Sequence, residues 1–525
     1  MPENLQRRLR RLMASKGVKR LPIEKAFDRI GSLIDLSKHL KSQDGTTRAL
    51  EWCDELQVRD LSPRQGAQLE YFRANTWANR VEAKHRSRAA VWQWEQPELQ
   101  NEVLCLRRAL AHKGFGSLPL LRRSQIFTNL GNQLSYVGRF VDAIEYWGRA
   151  LDVQPRFAMA VGNRGWGRLH YAQSLYDTGH RRLFLLFAYD DLNVALSQTA
   201  LWDGVYTGAK ELFQEQKKRI EKRVNVEQVR TSIDLHNHSL GRLKQEQRYR
   251  RWCLANNLFL NPLNDLGPYP IAAQDVLMLP TYTTSLDEGP TLIGFFNQLK
   301  QEYASARWFL YEGAHASHTH FSDRGVKLYD TLDYTNHALA VEKMKIAFRV
   351  AYSLFDKTAY FLNDYMRLGI PEKGVYFRSL WYEKAQGQRR ELRVQFVRAE
   401  NWPWRGLYWL AKDFVEEEFR AVMEPDSQAL YEIRNHLEHK YLKVHEMLVQ
   451  RPSHATFDPW SDRLACSISR SELKKKTLRL LKLSRAALIY LALGMHREER
   501  LRAKGQKQGL LAPVVLGILE DSLKR

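Results

Sequence analysis

Apolar residues recur at three- and four-residue spacing over most of the chain, the rhythm of amphipathic helices. From Ile23 to about Arg223 the stripe runs through positions such as Phe27, Ile30 and Ile34, or Leu69, Phe72 and Trp77. It is interrupted at Asp44-Gly45, Ser62-Pro63, Gly114–Gly116 and Gly179. Short helices separated by turn residues predict a succession of helical hairpins. From about Val224 to Arg324 the pattern loosens, and Pro262, Pro268, Pro270, Pro280 and Pro290 leave no room for a long helix through Asn256–Thr284. Residues 291–311 resume a helical pattern. Beyond Tyr329 long helices return, at Tyr334–Met366, Trp404–Met423, Ser427–Val449 and Ser471–Gly494, and four of this length make an antiparallel bundle. The aromatic, β-branched stretch Gly374–Val397 between the first two fits a short hairpin. The fold expected is therefore all-α in four parts: a helical-repeat domain over 1–223, a connecting region over 224–325, a helical bundle over 326–504, and a tail over 505–525 with one short helix.

One stretch of the repeat region is sharper than the rest. Phe127, Leu130-Gly131, Leu134, Gly138, Phe140, Ala143, Trp147, Ala150-Leu151 and Pro155 resemble the tetratricopeptide (TPR) pattern position by position. Small residues at Gly131, Ala143 and Ala150 let two helices approach closely, large ones at Phe127, Leu134 and Trp147 fill the gaps, and Pro155 stops the second helix. One repeat length later Val161, Arg164-Gly165 and Arg168 keep the glycine but lose the apolar neighbours. A single repeat cannot stand alone, so neighbouring hairpins must stack on it.

Composition narrows the class. Hydrophobic residues make up 44% and charged residues 27% of the 525 positions, ordinary values for a packed protein. The longest apolar run, Ala486 to Leu493, suits a buried helix and is too short for a bilayer. Cys53, Cys105, Cys253 and Cys466 are scattered with no CxxC pair, which points to free thiols in a reducing compartment. The basic N-terminus lacks the apolar stretch and cleavage site of a secretory signal, so a soluble, cytoplasmic protein is expected. The formal net charge of +22 favours polyanionic partners. Basic residues cluster at Gln216–Arg223, Arg242–Arg251 and Lys474–Arg485, with Tyr249 and Trp252 in or beside the second cluster, where they suit either stacking on unpaired bases or core packing.

The chemistry concentrates in Glu432-Ile433-Arg434-Asn435-His436-Leu437-Glu438-His439-Lys440. On the third bundle helix, started by Pro425 and capped by Asp426 or Ser427, a buried stripe of Leu430, Ile433, Leu437, Tyr441, Val444 and Leu448 is expected. At roughly 100° per residue, His439 falls opposite that stripe, Asn435 and Glu446 share its face, and Arg434 sits at the border below Glu438. Arg-Asn followed by His, with four residues between Arg and His, on the third helix of a four-helix bundle resembles the motif of the HEPN superfamily. The resemblance covers the last third of the chain. It implies a homodimer in which two motifs converge on one RNA-cleaving site, and TPR arrays fused to HEPN domains occur in bacterial toxin and phage-defence proteins. It also implies a reaction without metal or other cofactor, in which the 2′-OH attacks the adjacent phosphate to give a 2′,3′-cyclic phosphate. His439 would be the general acid/base, Arg434 the electrostatic stabiliser and Asn435 the positioning residue, with Glu438 and Lys440 in support. The bland alternative pairs Arg434 with Glu438 at i+4 and leaves His439 an ordinary surface residue.

Two other constellations carry less. His315, His318 and His320 form a histidine-dense loop flanked by Glu312 and Asp323, better suited to solvent or RNA than to a metal. Asp234, His236 and His238 form a D-x-H-x-H string whose neighbours read as helix instead of the strand end a metallohydrolase uses. No phosphate-binding lysine loop, GxGxxG or GxSxG elbow is present. Two functions follow: an endoribonuclease acting on tRNA or messenger RNA and restrained through its repeat region, or a non-catalytic adaptor whose repeats hold a protein or peptide while the basic bundle holds RNA.

Overall fold

The computed structural model describes residues 2–84, 87–203, 208–284, 288–383, 391–415, 433–438, 440–446, 464–505 and 514–524. Helices Ile23–Leu40, Gln43–Gln57, Pro63–Lys84, Pro97–Ala111, Leu120–Tyr136, Phe140–Val153, Ala158–Ser174 and Thr178–Leu196 follow one another through short turns. The breaks fall within a turn of the expected places, each with a local cause. Ser42 caps Gln43–Gln57 by accepting from the Gly45 N–H, so Asp44-Gly45 opens a helix instead of separating two. Ser62 and Gln65 exchange side-chain and backbone hydrogen bonds in a capping box, and Asp177 caps Thr178–Leu196 through the His180 N–H.

Neighbouring helices run antiparallel. The Ser124 hydroxyl donates to the Ala150 carbonyl and Gly131 lies against the Trp147 indole, so the contacts close symmetrically about the turn at Gly138. A Cβ on Gly131 would lie 2.8 Å from that indole, which is why the helix carries glycine there. The next pair repeats the arrangement: Arg164 and Arg168 both reach Asp191, and Tyr171 meets Phe184.

Between Asn256 and Thr284 the chain has only 3-10 turns, at Pro262–Asp265 and Pro270–Ala272. Helix Thr291–His315 then pairs antiparallel with Leu339–Tyr365 through Phe296–Phe361, Glu302–Lys357 and Glu312–Lys343. Helix Arg470–Gly505 runs parallel to Leu339–Tyr365: Ser484 donates to the Ala351 carbonyl near the middle, and Tyr365 donates to Glu499 further along. It passes straight through Gly494, where the sequence pattern ends the helix. That glycine is a packing notch, since any Cβ there would collide with the Trp404 indole. In the stretch expected to hold a hairpin, Tyr382 and Leu392 form an antiparallel bridge. Among the described residues no helix is long and apolar enough to cross a membrane.

The repeat region and the C-terminal helices are not separate bodies. The first helices enclose a small core of their own around Trp52, but most buried apolar residues from Ala67 to Met495 join one large cluster that runs through both parts, with Ala150, Phe157 and Ala160 in a small group beside it. Helix Trp402–Val415 makes the junction. Gly406 crosses Gly138 so closely that a Cβ on either would strike the backbone of the other segment, and Gly138 turns with φ +95°. The Trp402 indole donates to the Ser135 carbonyl and the Trp409 indole to that of Trp94. At the far end the buried Asp413 carboxylate sits between Arg107, at 2.8 Å, and Arg139, which also holds Asp142. Burial opposes the charge of Asp413, yet the two guanidinia hold its carboxyl below the usual range.

Candidate functional site

Residues 433–438 form a short helical segment in which Ile433 and Leu437, one turn apart, are buried. Their burial turns Arg434, Asn435 and His436 toward a half-buried edge and leaves Glu438 and Lys440 exposed. His439 lies outside the described residues, as do Glu432, Leu430 and the expected cap at Pro425–Ser427.

The segment is held on helix Leu339–Tyr365. The Arg434 guanidinium lies over the Tyr352 ring at 5.5 Å, and its Nη1 reaches the Asn435 amide oxygen at 3.4 Å. Arg349, one turn before Tyr352, donates to the Leu437 carbonyl and approaches Glu438 at 3.9 Å. Glu438 is therefore engaged by Arg349, and among the described residues no carboxylate pairs with Arg434. The i+4 pairing weighed from sequence does not form. Arg349 and Tyr352 carry no motif signal; only the expectation that this helix packs beside the motif could have singled them out.

The single helix expected over Ser427–Val449 is corrected. Tyr441–His445 is a strand, β1, which pairs in parallel with β2, Ala465–Ser469, in the register Tyr441↔Ala465 to His445↔Ser469. The sequence admits both readings. Tyr441 and Val444 continue the three-four stripe from Leu437, but Leu442 and Val444 also alternate with Tyr441 and Lys443, and burial follows the period of two. A partner strand nearly twenty residues downstream decides the matter. Glu446, expected beside Asn435 on a helical face, instead leaves the end of β1 and accepts from Asn336 and Arg470.

Beside β1 runs a loop invisible to motif reading. Asn336 donates its N–H to the Val444 carbonyl, and Asp333 pairs with Lys443 at 2.8 Å while accepting from Thr331 and Thr335. The Lys443 ammonium and those hydroxyls hold the Asp333 carboxyl well below the usual range. Leu332 and Tyr334 on either side adopt φ of +60° and +56°. The loop presents Tyr329 and Tyr334 almost wholly exposed, at 97% and 88%.

The basic clusters divide unevenly. In Lys474–Arg485, Arg479 reaches Asp142 and Glu145, Lys482 reaches Glu145, and Arg485 is buried on Asp265, so this cluster largely joins the C-terminal helix to the rest of the fold. Tyr249 and Trp252 pack against Trp308 and Tyr311, the core reading of that pair. In the histidine loop His315 bonds the Tyr311 carbonyl and His320 the Ser322 hydroxyl. The string at Asp234 is a loop, not the helix expected: its carboxylate accepts from the His236 and Asn237 N–H groups. Among the described residues no three His, Cys, Asp or Glu side chains come together as a metal site would need. Burial pushes the thiols of Cys53, Cys105 and Cys253 up to about 12.

A helical bundle carrying Arg434-Asn435 at its edge is the geometry against which known families can be compared. Residues 283–498 match the LA2681-like HEPN family model. No curated protein and no solved structure matches the chain. The HEPN match begins ahead of helix Thr291–His315 and extends through most of Arg470–Gly505. It thus takes in the segment 433–438, helix Leu339–Tyr365 that supports it and the β1–β2 pair. The repeat region lies outside the match.

Proposed function

We propose that the chain is a HEPN-type endoribonuclease that cleaves RNA without a metal and acts as a homodimer. The observation that carries this reading is the edge formed by Arg434 and Asn435: a guanidinium with no carboxylate partner among the described residues, beside an amide, on a segment anchored to a bundle helix within the HEPN-matched region. A guanidinium fork suits the non-bridging oxygens of a phosphate, and it stabilises them more as charge grows in the transition state. In the reaction the 2′-oxygen forms a bond to phosphorus, the bond from phosphorus to the 5′-oxygen breaks, one proton leaves the 2′-OH and one reaches the departing oxygen. His439 exchanges these protons, imidazole being the side chain best suited to give and take a proton in this way. Asn435 positions the phosphate, and Glu438 and Lys440 act in support. Tyr329 and Tyr334, exposed beside β1, offer rings on which unpaired bases stack. The N-terminal hairpins act as a TPR-type array that binds a protein or peptide and restrains the nuclease, the arrangement of a toxin or anti-phage effector cutting tRNA or messenger RNA in the cytoplasm.

The test is cleavage of labelled total tRNA and of a long single-stranded RNA in EDTA by wild type, Arg434→Ala and His439→Ala. Cutting that survives chelation, leaves cyclic-phosphate ends and disappears in both variants is the expected result. Cutting that persists in both variants overturns the site. A folded, dimeric wild type that cuts neither RNA shifts the reading to the adaptor.

A further inference from the structure

At the junction of the repeat region and the HEPN-family domain lies a cavity of about 560 Å³, within the range of small-molecule sites. Its aromatic wall comes from both sides. Trp166 and His170, on helix Ala158–Ser174, stack at 6.1 Å with an interplanar angle of 27°, and Trp402 approaches His170 at 6.1 Å. A second chamber of about 110 Å³ shares Gln173, Ser174, Pro403 and Arg497 with the first and adds His496, Arg500 and Lys504. Neither chamber is lined by an aspartate or glutamate.

Arg405 sets this cavity apart from the rest of the interior. The other buried arginines of the described chain, Arg107, Arg139, Arg168, Arg307 and Arg485, each pair with an aspartate. Arg405, which lines the cavity and is 2% exposed, has no carboxylate partner among the described residues. Its two terminal nitrogens donate to the carbonyls of Val91 and Tyr136, and its Nε has no partner. Burial pulls this guanidinium down to about 10, so it stays charged at neutral pH. Arg405 and Arg497 both lie over the Trp92 ring, at 5.4 and 6.0 Å. A buried cation is ordinarily paired; this one faces a space with aromatic walls and a basic annex.

We propose that the cavity binds a nucleoside phosphate, with the base against Trp166, His170 and Trp402 and the phosphate on Arg497 and Arg500, under the field of Arg405. Flat aromatic walls accept any base, and unneutralised guanidinia select for phosphate over neutral nucleosides. The source is a free nucleotide or the end of an RNA strand, since both present the same group. The ligand would touch both the repeat region and helix Trp402–Val415, so its binding stabilises their junction. Arg434 and Asn435 do not line the cavity, and the inference stands independently of the nuclease reading.

The experiment uses the full chain and follows quenching of tryptophan fluorescence and the melting temperature with AMP, GMP, CMP and UMP. Adenosine, inorganic phosphate and a short RNA trinucleotide serve as comparison ligands. Saturable quenching by at least one mononucleotide, with a raised melting temperature, is expected. Affinity should fall about tenfold or more in Trp166→Ala and in Arg500→Ala, the usual scale for losing a stacking ring or a phosphate contact. Both variants should melt like wild type without ligand, since Arg500 is exposed and Trp166 half-buried. A trinucleotide that displaces the mononucleotide identifies a strand end as a source; one that does not leaves the free nucleotide. The proposal is overturned if no mononucleotide binds in the millimolar range. It is equally overturned if adenosine binds as tightly as AMP, or if both folded variants bind as wild type does.

Discussion

Replacing Asp413 with alanine tests whether the repeat region and the HEPN-family domain are one cooperative body. Asp413 is fully buried and accepts from Arg107 and Arg139 across the junction. Removing one member of a buried ion pair typically costs about 3–5 kcal/mol, because the charge left behind has lost its counterion in a poorly solvated place. Here Arg139 keeps Asp142 at 3.1 Å, so the lower end, about 3 kcal/mol, is expected. The readout is urea unfolding followed by tryptophan fluorescence, since Trp402, Trp404 and Trp409 share the helix with Asp413. Asp413→Ala should lower the midpoint and broaden or split the transition as the two halves lose their coupling. A pH series adds a second check. The carboxyl is depressed below its unfolded value of about 3.9. Its stabilisation is therefore complete above that value and disappears as pH falls through the folded one, so wild type and variant should converge in acid. A stability loss under about 1 kcal/mol with an unsplit transition would refute the claim that this carboxylate couples the two halves.

Other consequences can be checked separately. Glu102 is buried with one oxygen on Gln133 and the other unpartnered, and burial pushes its carboxyl up to about 8. A raised folded value means that stability is full below the unfolded value and declines as pH rises through the folded one, so Glu102→Gln should stabilise by up to about 5 kcal/mol at pH 9 and by almost nothing at pH 4 in parallel melts. Gly406→Ala places a methyl group against the Gly138 backbone; soluble yield or urea midpoint should drop by the equivalent of about 3 kcal/mol or more, whereas Gly148→Ala, with open space around it, should not. Tyr352→Leu removes the ring under Arg434 at a cost of about 1 kcal/mol in stability. If the ring positions the guanidinium, RNA cleavage falls far more than binding does; equal losses in both would refute a positioning role.

The all-α class and most of the helices could be read from sequence because their signals are local. Ser42, Ser62 and Asp177 cap their helices within a few residues, and the small-large alternation of Gly131 and Trp147 needs only one hairpin to act. The HEPN-family match spans Arg434 and Asn435, which the motif had singled out. What sequence reading missed is set by distant partners. Strand β1 fits a helical stripe as well as a strand until β2 is supplied, and Gly494 reads as a helix end until Trp404 is placed above it. The cluster Lys474–Arg485 looked like a surface for polyanions because its aspartate and glutamate partners lie hundreds of positions away, at Asp142, Glu145 and Asp265. Arg349 and Tyr352 sit on an ordinary amphipathic helix and gain meaning only from what rests on them.

The continuous core also sets a schedule for the chain during its synthesis. The Trp402 indole closes on Ser135 across 267 positions, and Tyr490 reaches Val141 across 349. At about 5–20 residues per second, the hairpin Leu120–Val153 waits roughly 15–50 s for the helix that covers it. For that interval Phe140 and its neighbours face water, and the nascent protein depends on whatever shields them, so a slow translation rate or a stall beyond residue 200 is where this fold is most exposed to aggregation.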